Sequence, residues 1–85
     1  MYQLVPSFIN MLQQSDNPII GYRVSDEARI KIFFKNGAVH TAFVLQNNNP
    51  DEYYRKKYMY VKYNDTIYEC NRDYNTCKYL CSAYA

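Results

Sequence analysis

The sequence predicts an α+β domain: an antiparallel sheet of about five strands, with one helix at the N-terminus and one at the C-terminus. Three observations predict it. Residues 19–45 alternate apolar and polar side chains and are interrupted by two turn signals, Ser25-Asp26-Glu27 and Asn36-Gly37. Residues 58–71 alternate in the same way around Asn64-Asp65. Near the N-terminus the period changes, and Val5, Phe8, Ile9 and Leu12 follow the spacing of one helix face.

Residues 1–17 read as the first helix. Pro6 fits its first turn, where a missing N–H leaves nothing unsatisfied. Ser15, Asp16, Asn17 and Pro18 end it. A three-stranded meander follows. Asn36-Gly37, taken as a two-residue type I′ turn, sets Lys35 opposite Ala38, Phe34 opposite Val39, Ile32 opposite Thr41 and Ile30 opposite Phe43. A three-residue turn at Ser25, Asp26 and Glu27 sets Val24 opposite Ala28, Tyr22 opposite Ile30 and Ile20 opposite Ile32. Together these registers gather Ile20, Tyr22, Val24, Ile30, Ile32, Phe34, Val39 and Phe43 on one apolar face.

Residues 46–49 form a polar loop, and residues 50–57 carry two readings. One is a short helix with Asn49 as N-cap, Pro50 in its first position, acids at its start and Arg55, Lys56 and Lys57 at its end, an order that suits the helix dipole. The other is a strand holding Tyr53 and Tyr54. The hairpin Tyr58–Tyr63 and Thr66–Asn71 sets Met59, Val61, Tyr63, Tyr68 and Cys70 on one face, with Tyr58, Tyr60, Lys62, Ile67 and Glu69 on the other. Asp73 reads as the cap of a C-terminal helix whose stripe is Tyr74, Cys77, Cys81 and Tyr84, with Leu80 beside it.

The chain of 85 residues reads as a single domain, 1–85. Its core is modest, because a chain this short buries only roughly 60–65% of the surface it exposes unfolded. Eleven Tyr and four Phe supply that core with area. A net charge of +2 falls well short of a strongly basic domain, so attraction for anions has to come from local clustering. The start of the chain shows no basic segment leading into a long apolar run, and no stretch is long enough to span a membrane, so a cytoplasmic, intracellular protein is the expectation. The composition, small with many Asn and Tyr, is of the sort seen in accessory proteins of viruses and mobile elements.

Two surfaces are candidates for function. The first is the polar face of the meander, where Arg23, Arg29, Lys31 and Lys35 stand beside Phe33 and His40. Arg23 and Arg29 are predicted to oppose each other, a like-charge pair that a bound anion or nucleic-acid phosphate would relieve. The competing reading is a solvated outer face. The second is the Tyr-rich C-terminal half, where nine of the eleven Tyr lie. Tyr53, Tyr54, Tyr58, Tyr60 and Lys62 form a candidate protein interface, because Tyr brings area at low entropic cost. The competing reading is ordinary strand composition.

Chemistry is sparse. His40 has no nucleophile or carboxylate in register, the acids fall at turns and caps, and two glycines cannot build a phosphate loop. No enzyme, cofactor or metal site is expected. Cys70, Cys77 and Cys81 are an odd set, read first as buried free thiols, with a disulfide from Cys70 to Cys77 or Cys81 as the alternative. The expected function is stoichiometric binding of a protein as regulator or inhibitor. The alternative is nucleic-acid binding through the basic face, and a homodimer through either surface is compatible with both.

Overall fold

The computed structural model describes residues 2–13 and 18–84. Within them a 3-10 turn, Tyr2–Leu4, leads into helix α1, Val5–Gln13. Strands β1 (Ile19–Val24), β2 (Arg29–Phe34) and β3 (Val39–Leu45) follow, then helix α2 (Glu52–Lys57) and strands β4 (Tyr58–Tyr63), β5 (Thr66–Asn71) and β6 (Thr76–Ser82). The described strands form one six-stranded antiparallel sheet in sequential order. The α+β class is as predicted, but the sixth strand replaces the expected C-terminal helix. The predicted stop of the first helix at Ser15, Asp16 and Asn17 lies outside the described residues.

The buried side chains among the described residues lie on one side of the sheet. Phe8, Ile9 and Val5 of α1 press onto Ile30, Ile32, Phe34, Ala42, Val44, Met59, Val61 and Cys70. Phe8 is fully buried and meets the rings of Tyr63 and Tyr68 edge to face, at 6.0 and 5.7 Å between centroids. Among the described residues no helix lies against the centre of the other face, and none is long and apolar enough to cross a membrane.

The β2–β3 register differs from the prediction by one residue. Phe33 pairs with Val39, Ile32 with His40, Lys31 with Thr41 and Ile30 with Ala42. The cause is the turn. The Gly37 N–H donates to the Phe34 carbonyl and the Phe34 N–H to that of Ala38, while only Gly37 of the Asn36-Gly37 pair has a positive φ, +92°. This is a three-residue loop, a type I turn closed by a left-handed glycine, and not the two-residue turn that the dipeptide suggests. One extra loop residue turns β3 over. Ala42 and Val44 are buried, whereas Val39 and Phe43, expected inside, are 52% and 43% exposed.

The β1–β2 register moves by two residues, which preserves the faces. Ser25 N–H donates to the Arg29 carbonyl across a loop of Asp26, Glu27 and Ala28, with Ala28 left-handed at φ 61°. Tyr22 therefore pairs with Ile32 and Val24 with Ile30. A bulge between Ile19 and Gly21 changes the face at the start of β1. Ile19 packs against the core, and Ile20, expected inside, is 70% exposed.

Helix rather than strand holds for residues 52–57. The N-cap is Asp51, whose carboxylate accepts from the Tyr53 N–H at 2.9 Å, and Asn49 instead accepts from the Asp51 N–H. The β4–β5 hairpin matches the prediction in bounds and faces. Asn64 and Asp65 both have positive φ, 53° and 63°, the requirement of a two-residue type I′ turn. Glycine suits the second of these positions best. Asp65→Gly should add about 0.5–1 kcal/mol of stability, a rise of about 2–8 °C in Tm by circular dichroism. An unchanged or lower Tm would mean that the turn does not limit the hairpin.

The C-terminal segment is a strand because its pairing with β5 outweighs its helical spacing. Cys70 and Cys77 are directly opposed and form a disulfide, and Thr76, Tyr79 and Cys77 all fit a pleated surface. Asp73, expected to cap a helix, sits in the β5–β6 turn, which closes with Asn75 left-handed at φ 51°. The expectation of three buried free thiols is thus corrected. Cys70 and Cys77 are bonded, and Cys81 is an exposed free thiol beyond a bulge in β6.

Candidate functional site: the open sheet face

The face of the sheet away from α1 is assembled by register. Arg29, Phe43, Lys62, Ile67 and Cys81 lie in one row across five strands. Leu45, Tyr60, Glu69 and Lys78 form the next row. Arg23, Arg29, Lys31 and Phe33 of one surface singled out in the sequence, and Tyr58, Tyr60 and Lys62 of the other, lie on this face. The sequential strand order sets them side by side, with Phe43 between them.

On the β1–β2 side, Arg23 and Lys31 are directly opposed. Arg29 does not face Arg23, as expected from sequence, but pairs with Phe43 and reaches Glu27 at 3.4 Å. Arg23, Ser25, Glu27, Arg29, Lys31, Thr41 and Phe43 line an open depression of about 590 Å³. Among the described residues its one carboxylate belongs to Glu27, already beside Arg29. Among the described residues Arg23 and Lys31 have no acidic partner, and like charges opposed across strands repel.

Two members of the predicted basic cluster lie elsewhere. Lys35 stands in the β2–β3 loop, its N–H bonded to the Pro18 carbonyl at 2.9 Å. His40 is on the α1 side, because the longer loop turns β3 over. There its Nδ1 is 2.6 Å from the Tyr63 hydroxyl and its ring tilts against Phe34. Phe33 does share the open face, opposite Gly21 and Val39.

On the β4 side the tyrosines form a continuous row. Tyr53 meets Tyr54 edge to face at 5.4 Å, Tyr54 lies parallel to Tyr58 at 6.3 Å, and Tyr58 is stacked near Tyr60 at 6.5 Å. α2 continues the row because its last residue runs directly into β4. Lys57 stands over the rings of Tyr53 and Tyr58 and pairs with Asp73 at 3.5 Å. Lys56 pairs with Glu52, and Lys62 lies over the ring of Tyr84. Burial raises the Tyr60 hydroxyl above the usual tyrosine range, and the Glu69 carboxylate beside it adds to the shift.

Sequence reasoning missed Val39 and Phe43 as members of this face. The signal that could have found them is the competing pattern in β3, where Ala42 and Val44 form an equally apolar set. Among the described residues no three His, Cys, Asp or Glu side chains come together as metal ligands. Comparison of the chain with protein-family models, with curated proteins and with solved structures returns no match.

Proposed function

We propose that the protein is a non-enzymatic binding module that docks a protein partner on its open sheet face and acts by stoichiometric contact, as a regulator or inhibitor. The observation that carries this reading is the row from Tyr53 to Tyr60, continued by exposed Phe43 and Val39, on a six-stranded face whose centre no described residues cover as a layer. Exposed apolar area of this kind, rimmed by charge, fits a protein interface, and Tyr is among the residues that carry interface energy. Charge supports the same occupant. Lys56 and Lys57 in the tyrosine half already have carboxylates beside them, which makes that half a weaker track for phosphates than the opposed Arg23 and Lys31.

The test is retention of partners from the source cells on immobilised protein. Tyr58→Ala/Tyr60→Ala should lose the partner that wild type retains, with each truncation weakening binding roughly thirtyfold, the effect of a hot-spot residue. Arg23→Glu/Lys31→Glu should keep it, and raised salt should matter little. Retention that ignores the tyrosines would sink this reading.

The opposed Arg23 and Lys31 favour a second reading, single-stranded nucleic acid over the basic depression with a base against Phe43. Two phosphate contacts would lose roughly sevenfold in affinity between 50 and 200 mM salt. Fluorescence anisotropy with oligonucleotides, repeated on Arg23→Glu/Lys31→Glu, separates it from the first reading.

A further inference from the structure

We propose that β1 is a pairing edge, and that two copies of this chain join β1 to β1 antiparallel about a two-fold axis through Tyr22. Among the described residues the strand has only one neighbour in the sheet. Ser25 bonds Arg29 across the turn, so strand alternation makes Arg23–Lys31 and Gly21–Phe33 the hydrogen-bonded pairs with β2. The N–H and carbonyl groups of Tyr22 and Val24 therefore point away from the sheet. Their side chains lie on the α1 side yet remain 42% and 36% exposed, beyond the cover of the helix. A second strand laid along this edge would satisfy those groups and extend the apolar face.

Self-pairing restricts the register, because outward-pointing groups must meet their like. A centre at Tyr22 sets it against the second copy's Tyr22 and sets Arg23 against the second copy's Gly21, twice by symmetry. A centre at Arg23 would bring two arginines face to face. Gly21 fits its role in the first register. Its φ is not left-handed and a Cβ added to it would meet nothing within 4 Å, so no contact with the described residues requires a glycine there. A glycine in a strand is unfavourable on its own account and suits either a bulge, such as the one that ends at Gly21, or a close approach by another chain, and the charge test at position 21 separates the two. The opposite edge is less suited. In β6 a bulge at Leu80 and left-handed Asn75 leave a short regular stretch, and a centre at Lys78 there would set lysine against lysine.

Sedimentation over roughly 5–500 µM protein tests this, a range that brackets a small strand-pairing interface. Wild type should dimerise reversibly. Gly21→Glu, opposite Arg23 of the second copy, should tighten the dimer and Gly21→Lys should loosen it, each by roughly two- to thirtyfold for two symmetric pairs. Tyr22→Pro, which removes an outward N–H without removing a bond to β2, should be monomeric with its far-ultraviolet spectrum unchanged. A wild type that stays monomeric throughout, or a dimer indifferent to the sign of charge at position 21, overturns the proposal. So does a dimer lost in Tyr58→Ala/Tyr60→Ala, since that would place the contact on the open face. A partner lost by those tyrosine variants while the dimer persists keeps the two readings apart.

Discussion

Phe8→Ala should remove a large share of the protein's stability, about 3–5 kcal/mol. Phe8 is the deepest side chain of α1, fully buried against two tyrosine rings and the centre of the sheet. Truncating a buried Phe costs about 3–5 kcal/mol, through lost transfer energy and the cavity left behind. A domain of this length has about 4–13 kcal/mol in all. The fraction at risk is large because α1 is the helix that covers this face, and a nine-residue helix is not stable without its packing. The expected drop in Tm is at least about 12 °C. Thermal denaturation followed by circular dichroism checks it, with Gln13→Ala on the exposed side of the same helix as control. A fall below about 5 °C would mean that the core is held by the sheet alone.

What could be read from sequence depended on how far the deciding contact lay. The β4–β5 hairpin was legible because Asn64-Asp65 fixes a two-residue turn and both faces follow from it. Asn36-Gly37 was ambiguous for a physical reason. The same dipeptide closes a two-residue loop with both residues left-handed, or a three-residue loop with only the glycine so. The two differ by one residue, and β3 is apolar on both sides, Val39 and Phe43 against Ala42 and Val44. Pairing of Val44 with buried Val61 is a contact between segments, invisible in a local pattern. The last strand failed similarly. Tyr74, Cys77, Cys81 and Tyr84 have helical spacing, and only the facing Cys70 reveals the strand.

The candidate site divides along the same line. Tyr53, Tyr54, Tyr58 and Tyr60 could be gathered because α2 and β4 are contiguous in the chain. Arg23, Lys31 and Phe33 could be placed on one face by the period of their strands. His40 could not, since one loop residue carried it to the other side. That the basic and tyrosine-rich surfaces adjoin follows from β3 pairing with β4, which turns two separate sequence features into one surface.

Removing the Cys70–Cys77 bond should cost about 2–3 kcal/mol. The bond closes a ring of eight residues, counted from Cys70 to Cys77 inclusive. The chain-entropy relation gives about 2.5 kcal/mol for a ring of that size, even though the loop is short. Cys70→Ala/Cys77→Ala in a Cys81→Ser background, which leaves no thiol to exchange, should therefore melt about 10–20 °C below Cys81→Ser alone. The loss should also be local in character. β6 is an edge strand with exposed Tyr79, Leu80 and Cys81, and the disulfide lies next to its turn. Hydrogen exchange should then quicken in Thr76–Ser82 before it does in β2 or β4, whose side chains fill the core. If exchange quickened equally in all strands, β6 and the core would open as one unit. If the melts with and without the bond coincided, pairing of β5 with β6 would suffice to hold the edge. Under reducing conditions the first outcome has a functional consequence. The row that runs from Arg29 to Cys81 would lose its last member, while the tyrosine row from Tyr53 to Tyr60, carried by α2 and β4, would stay in place. Partner retention should then survive reduction even as Tm falls, and its loss on reduction would show that β6 belongs to the binding surface.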